Sequence, residues 1–305
     1  MKELLTAALL FSFLGGCGVS SKITKEDAVS VKVTEKVEAK YAGPKRRVAV
    51  LEFANKTVFG KRLGTSAADI LVSELGKSGK FILIEREKLG RLAEEKKLGL
   101  TGLIDSNTAV SAGNMLGAAA VIFGTISNFG TDTESSGAII SQSKRQRATC
   151  TVDVRVVDVE TGRVIYTDSG KGVAEKSSGT FFGIGSSAGY DETLEGEALR
   201  SAIVKLTENI SSQINAEPWA CHIAEVTEEK IYIDAGKMSG IKKGSRVAVF
   251  SLGKEIVNTT TGLVLGREEK KAAIAEVVDF FGADGAVITV LEGKVKKGDL
   301  CRIYE

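Results

Sequence analysis

Apolar and polar spacing divides the chain into four stretches. Residues Leu4 to Leu14 (LLTAALLFSFL) form one short apolar run. It has the length of an export-signal core and falls well below the ~20 residues that span a bilayer as a helix. The stretch from Val19 to Lys45 is polar and charged and closes on Gly43-Pro44, which reads as a tether. From Arg47 the pattern becomes regular. Arg47–Phe53 (RVAVLEF) predicts a buried strand, and Ser66–Leu75 (SAADILVSEL) has helical spacing that stops at Gly76. Phe81–Ile84 predicts a second strand, Glu87–Lys97 a charged surface helix, Ser106–Leu116 another helix and Ala119–Ile126 a third strand. Thr149–Val159 alternates with period two, and Glu160-Thr161-Gly162 turns it back into Arg163–Thr167, so this pair predicts a hairpin. Glu195–Ile214 predicts a long amphipathic helix that closes the region.

After Glu217-Pro218 the helical spacing ends and short strands with Gly punctuation take over. They are Cys221–Val226, Lys230–Ala235, Ser245–Phe250, Ala272–Phe280, Ala286–Leu291 and Leu300–Tyr304. An internal echo supports this reading: Ile241-Lys242-Lys243-Gly244-Ser245 returns as Val295-Lys296-Lys297-Gly298-Asp299, each time leading into a strand. Both copies predict tight turns. The expected fold is therefore α/β, a mixed sheet with helices over residues 46–215, followed by a small all-β barrel-like domain over residues 216–305. A signal over residues 1–16 and a tether over residues 17–45 precede them.

Composition narrows the function. With 43% apolar and 26% charged residues, 34 Gly and only 2 Pro, the chain belongs with ordinary folded proteins. Its 41 basic and 39 acidic residues leave a net charge of +2, so no nucleic-acid partner is expected.

The N-terminus carries the most specific chemistry. Leu14-Gly15-Gly16-Cys17 resembles the bacterial lipobox of signal peptidase II substrates. A thiol is needed to carry diacylglycerol, small residues at Gly15 and Gly16 fit the protease cleft, and Leu14 fills its apolar subsite. Cys17 is then the lipidated first residue, and this covalent lipid is the only cofactor-like group expected. Two or more acyl chains hold a protein firmly to a membrane, where one chain binds only marginally. A plain secretory signal is the bland alternative. Gly18, where the related sorting rule has Asp for inner-membrane retention, favours the outer membrane.

Elsewhere the candidate chemistry is thin. His222 is the single histidine and sits beside Cys221, but neighbours on a strand point to opposite faces, so the pair does not form a nucleophile and base. The spacing of Cys150, Cys221, Cys301 and one histidine is not that of a zinc site. Gly183–Gly189 has neither a preceding apolar strand nor a closing Lys-Ser or Lys-Thr, so it reads as a loop and not a phosphate cradle. Cys221 and Cys301, on the first and last barrel strands, become neighbours if the barrel closes, which makes them a candidate disulfide in an oxidising compartment. Cys150 is left as a small buried hydrophobe. No catalytic, metal-binding or cofactor-binding residue is expected, and an enzyme is not.

Several phrases of the first region resemble the curli production assembly/transport lipoprotein family, also called CsgG-like. They are Arg47-Val48-Ala49-Val50, Phe81 to Arg86 (FILIER), Gly124-Thr125-Ile126, Arg155 to Val159 with Thr161-Gly162, and Leu194-Glu195-Gly196-Glu197. The resemblance implies an outer-membrane lipoprotein facing the periplasm; the best-known members form rings that export amyloid-type fibre subunits without nucleotide hydrolysis. The fold is also similar to that of periplasmic lipoproteins that activate peptidoglycan synthases. The second region resembles the C-terminal module of flagellar assembly lipoproteins through Ile231-Tyr232-Ile233, Gly240 to Gly244 and Thr261 to Gly266.

Two segments depart from a membrane-inserted member of that family. Asn128–Ala148 holds Lys144, Arg145 and Arg147 and, past Phe129 at its start, only Ile139 and Ile140 as strong apolar residues, and Gly170–Glu192 has Phe181, Phe182, Ile184 and Tyr190 broken up by Gly and Ser. Membrane strands need apolar residues on alternate positions, so the first segment is poor lipid-facing material and the second is expected to be a loop. Asn55 and Phe59 lie in the short loop after the first strand and receive no pore-lining role. The functional expectation is a non-enzymatic outer-membrane lipoprotein of the curli assembly/transport type, acting by contact with envelope or secreted proteins and forming a homo-oligomer. The alternative is a monomeric periplasmic activator or scaffold for a peptidoglycan synthase or flagellar ring, with no pore.

Overall fold

A computed structural model describes residues 43–60, 62–84, 106–138, 141–181, 184–185, 193–260 and 264–304. The export signal with Leu14, Gly15, Gly16 and Cys17, nearly all of the tether, the helix expected at Glu87–Lys97 and most of the Gly183–Gly189 loop lie outside these residues.

The first sheet is mixed. Strands β1 (Arg46–Val50), β3 (Phe81–Ile84) and β4 (Ala120–Ala138) run parallel, with β1 in the middle. A short β2 (Ala54–Asn55) adds to β4. From β4 the sheet continues antiparallel through β5 (Ser141–Asp158), β6 (Val164–Phe181) and β7 (Ile184–Gly185), giving the order β3-β1-β4-β5-β6-β7. Strand β1 is central because RRVAV is apolar on both faces, and each face receives its own helices. Val48 and Val50 face helix α1 (Leu63–Lys77) and helix α3 (Thr193–Ala216), while Ala49 faces helix α2 (Ser106–Leu116) with Val121, Phe123 and Val157.

Helix α3 covers the antiparallel half. Its buried positions Leu194, Ala198, Leu199, Ala202, Ile203, Leu206, Ile210 and Ile214 follow the three-and-four spacing of one helical face. Each large aliphatic side chain removed from water there contributes about 1.5–3 kcal/mol. The helix sits close because β6 presents Gly170 and Gly172 beneath it. A Cβ on Gly172 would lie 1.9 Å from the Ala198 carbonyl oxygen, and one on Gly170 would lie 2.3 Å from that of Ala202.

The second unit is a closed barrel with strand order β10-β11-β12-β9-β8-β13. Its strands are β8 (Cys221–Val226), β9 (Ile231–Ile233), β10 (Arg246–Val257), β11 (Val264–Phe281), β12 (Gly285–Gly293) and β13 (Leu300–Ile303). Ile223, Ile233, Val247, Val249, Ala275, Val277 and Ile288 fill the interior. The repeated Lys-Lys-Gly phrases form matching turns. Ser245 N–H donates to the Lys242 carbonyl at 3.0 Å and Asp299 N–H to the Lys296 carbonyl at 3.2 Å, with Gly244 at φ 84° and Gly298 at φ 87°. That left-handed third position of the turn is one that glycine occupies without steric cost.

The loop expected at Gly170–Glu192 is corrected by the structure over its described residues, and Asn128–Ala148 is strand wherever it is described. Pairing of β4 with β5 continues without a break from Asn128↔Thr151 to Ala138↔Ser141, and pairing of β5 with β6 reaches Ser141↔Phe181. Over residues 128–138, 141–148 and 170–181 the chain is strand. The alternation rule fails here because it presupposes one buried face, and beyond Phe129, Ala148 and Ala174, which belong to the core, the described stretch is polar on both faces. Strands β10 and β11 are likewise longer than the expected Ser245–Phe250 and Ala272–Phe280, for the same reason: Lys254, Glu255, Arg267 and Glu268 extend a ladder that no apolar period announces.

Candidate interaction surfaces

Strands β4, β5 and β6 project beyond helix α3 as a three-stranded ribbon, and its side chains follow from its register. On one face Asp132 and Glu134 of β4 stand opposite Arg147 and Arg145 of β5, and Arg147 in turn stands opposite Glu175 of β6. The Arg147 Nε to Glu175 Oε1 distance is 3.2 Å. On the other face Thr133, Gln146 and Lys176 form one row and Ser135, Lys144 and Ser178 the next. Opposite charges directly across a sheet each contribute roughly 0.2–1 kcal/mol, and the backbone ladder supplies the rest.

The outer strand of the ribbon leaves an edge. Among the described residues β6 pairs with β5 on one side and with β7 only at Thr180↔Gly185 and Phe181↔Ile184. Along this edge the Lys171 carbonyl accepts a hydrogen bond from Lys205 Nζ at 3.0 Å. Such an edge can take a further strand, and Lys171, Glu175 and Lys176 on it are the kind of charged residues that restrict indiscriminate pairing.

A second constellation joins the sheet to the barrel. Arg47 on β1 reaches Asp284, in the turn between β11 and β12, with Nη2 to Oδ2 at 3.0 Å, and Asp234 with Nη1 to Oδ2 at 3.8 Å. It also donates to the Asp234 carbonyl. Asp284 is further held by the N–H groups of Gly236 at 2.9 Å and Ser239 at 2.8 Å and by the Ser239 hydroxyl at 2.6 Å. Around this centre, Lys45 N–H donates to the Ser239 carbonyl at 2.7 Å, Trp219 Nε1 donates to the Lys45 carbonyl at 3.3 Å, and Arg46 donates to the Glu217 carbonyl. Residues 45–47 thus bind the barrel through backbone and side chain alike.

His222 belongs to this clamp. Its backbone N–H donates to Asp234 Oδ1 at 2.7 Å, and its Nδ1 faces Asp234 Oδ2 at 3.9 Å. The Asp234 carboxylate raises the imidazole pKa above its ordinary value, outweighing burial, which lowers it. Burial pushes the Asp234 carboxyl up, but the bonds from His222 and the charge of Arg47 prevail and hold it below its ordinary value. Glu160, in the β5–β6 turn, is raised mainly by burial and then by Asp158.

Of the residues singled out in the sequence, Cys221 and Cys301 are brought together: they are directly paired on β8 and β13 and buried. Both are present as free thiols. His222 and Cys221 do point to opposite faces of β8, one exposed and one buried. Cys150 is enclosed in the sheet core, where burial pushes its pKa up to about 12. Asn55 is spent within its own loop, donating from Nδ2 to the carbonyls of Phe59 at 2.8 Å and Gly60 at 3.0 Å. Phe59 packs on Phe129 with ring centroids 5.3 Å apart. The clamp and the charged ladder have no local signature in the sequence, since each forms between residues far apart along the chain. Among the described residues no three His, Cys, Asp or Glu side chains converge as a metal site, and no helix is long and apolar enough to cross a membrane.

Comparison with known proteins places this geometry. The profile of the family described as curli production assembly/transport component CsgG matches residues 29–245. A provisionally named lipoprotein of Neisseria meningitidis serogroup B is 29% identical over 234 residues, covering 72% of this chain and 98% of that protein. Among solved structures, the LpoB C-terminal domain from Salmonella enterica aligns with a TM-score of 0.30 at 16% identity, over 48% of this chain and 98% of that one. The PelC dodecamer from Paraburkholderia phytofirmans aligns with a TM-score of 0.31 at 18% identity, over 54% and 88%.

Proposed function

Because this chain belongs to the family of the curli production assembly/transport component CsgG, we propose that it is an outer-membrane lipoprotein that faces the periplasm, is anchored through lipid on Cys17, and works by protein contact as a self-associating assembly component. The observation that carries this reading beyond the family is the three-stranded ribbon, whose β6 edge is open among the described residues. A strand edge of this length is suited to a neighbouring copy or to an extended segment of another envelope or secreted protein.

The ribbon's chemistry supports contact on the water side of the membrane. A Lys or Arg at the lipid-facing midplane of a barrel costs about 2–4 kcal/mol. Here Lys144, Arg145 and Arg147 lie within four residues, distributed over both faces. Among the described residues neither face offers the apolar band that lipid insertion requires. Catalysis has no part in the proposal.

The test is to extract the native protein in mild detergent and to measure its mass by light scattering on a sizing column, followed by electron microscopy. A closed oligomer is expected. A monomer would overturn self-association and favour the activator or scaffold role for a peptidoglycan synthase or flagellar ring. Unitary conductance steps in planar bilayers would overturn the water-side placement of the ribbon. Labelled palmitate is expected to enter the wild-type chain and not Cys17→Ser.

A further inference from the structure

We propose that Cys221 and Cys301 become a disulfide that ties β8 to β13 as the barrel folds. The two residues are direct partners in the antiparallel pairing of these strands. Partners of this kind have Cα atoms ~4.5–5.5 Å apart, inside the ~4.4–6.8 Å range that a disulfide spans. Both side chains face the barrel interior beside Ile223, Val247 and Val249. The remaining described cysteine is no competitor. Cys150 lies in the other core, with Phe129 and Gly172 as its cross-strand partners.

The chemistry is exchange with a disulfide oxidant, either a small molecule such as glutathione disulfide or an enzyme-borne one. One protein thiolate attacks a sulfur of the oxidant, breaking its S–S bond and releasing the first oxidant thiol. The second protein thiolate then attacks the mixed disulfide, forming the Cys221–Cys301 bond and releasing the second oxidant thiol. Two electrons reduce the oxidant, and the two protons lost by the protein thiols end on the oxidant's. In the folded barrel both sulfurs are enclosed, and the neighbouring Cys301 thiol together with burial raises the Cys221 thiol well above its ordinary pKa. Exchange therefore belongs to the period before the strands have packed. The bridge encloses a loop of about 80 residues, long enough to restrict the unfolded barrel strongly.

This proposal rests on the envelope-lipoprotein reading only for the compartment that supplies the oxidant. The test removes that dependence. The full chain is reduced in denaturant and refolded by dilution into glutathione and glutathione disulfide. It is then quenched in acid, alkylated with a maleimide under denaturing conditions, and mapped by mass spectrometry. Peptides containing Cys221 and Cys301 are expected as one linked species, with Cys150 alkylated. The barrel's unfolding midpoint is expected to stand ~10 °C or more above that of the reduced chain. Adding the same oxidant only after reduced refolding is expected to give linkage at least ~10-fold more slowly. Recovery of Cys221 and Cys301 both alkylated, both carrying glutathione, or linked to Cys150 would overturn the proposal. The oxidant is supplied in the tube, so such a failure counts against the pair and leaves the envelope assignment standing.

Discussion

The root and the tip of the ribbon are built on the same three strands yet held in different ways. At the root, Val152, Val154 and Val156 of β5 are fully buried beneath α3, and Gly170 and Gly172 let α3 settle onto the backbone of β6. At the tip, Asp132, Arg147 and Glu175 line up across β4, β5 and β6 in contact with solvent. One backbone ladder runs through both. A strand thus persists beyond its apolar cover when its cross-strand neighbours are complementary, but each residue there adds far less to stability than one at the root.

The contrast should be largest at Gly172. Gly172→Val drives a side chain into the Ala198 carbonyl of α3, and a loss of about 3 kcal/mol in chemical denaturation is expected. Wild-type stability in that variant would mean that α3 does not pack on β6 as described. Arg47→Met tests an intermediate case, a half-buried ion pair between two units. It should cost about 1–3 kcal/mol, because Asp284 loses a charged partner while keeping Ser239 and Gly236, and should speed limited proteolysis near Glu217-Pro218. At the tip, Arg147→Ala should cost less than ~1 kcal/mol, and its coupling to Glu175→Ala in a double-mutant cycle should shrink in high salt. A loss at Arg147 as large as that at Gly172 would erase the distinction between root and tip.

The smallest expected effect is a slope with pH. His222 has a folded pKa above its ordinary value of 6.5, so its contribution is complete below that value and disappears as pH rises through the higher folded pKa. Glu160, raised above 4.5, acts in the same direction at lower pH. Asp234, lowered from 3.8, contributes above that value, and its share is lost as pH falls through its folded pKa. Unfolding midpoints of the wild type should therefore decline from about pH 6 to about pH 8, and His222→Gln should flatten the decline. His222 is about half exposed, with 47% side-chain accessibility, so solvent screening keeps the amplitude small.

Elements that bury one face could be read from spacing. Helix α2 occupies the expected Ser106–Leu116, β3 the expected Phe81–Ile84 and β8 the expected Cys221–Val226. The Lys-Lys-Gly echo identified two turns because glycine at a left-handed position is a local requirement. The ribbon escaped because its stability is a relation between strands: Arg147 is informative only once Asp132 and Glu175 are known to lie beside it. The clamp escaped for the same reason, since Arg47 and Asp284 are 237 positions apart. Cys221 and Cys301 were legible as neighbours because they were assigned to the first and last barrel strands, which a closed barrel must bring together.

The strand order β10-β13-β8 sets a timetable for the nascent polypeptide. Leu300–Ile303 fills the gap between β10 and β8, so the cylinder remains an open sheet until those four residues are delivered, whereas residues 46–216 already contain every described strand of the first sheet and its helices. Vectorial delivery would therefore complete the N-terminal layer first and leave the C-terminal unit awaiting its final stave. A premature stop only a few codons upstream would strand two exposed edges, a natural target for quality-control proteases.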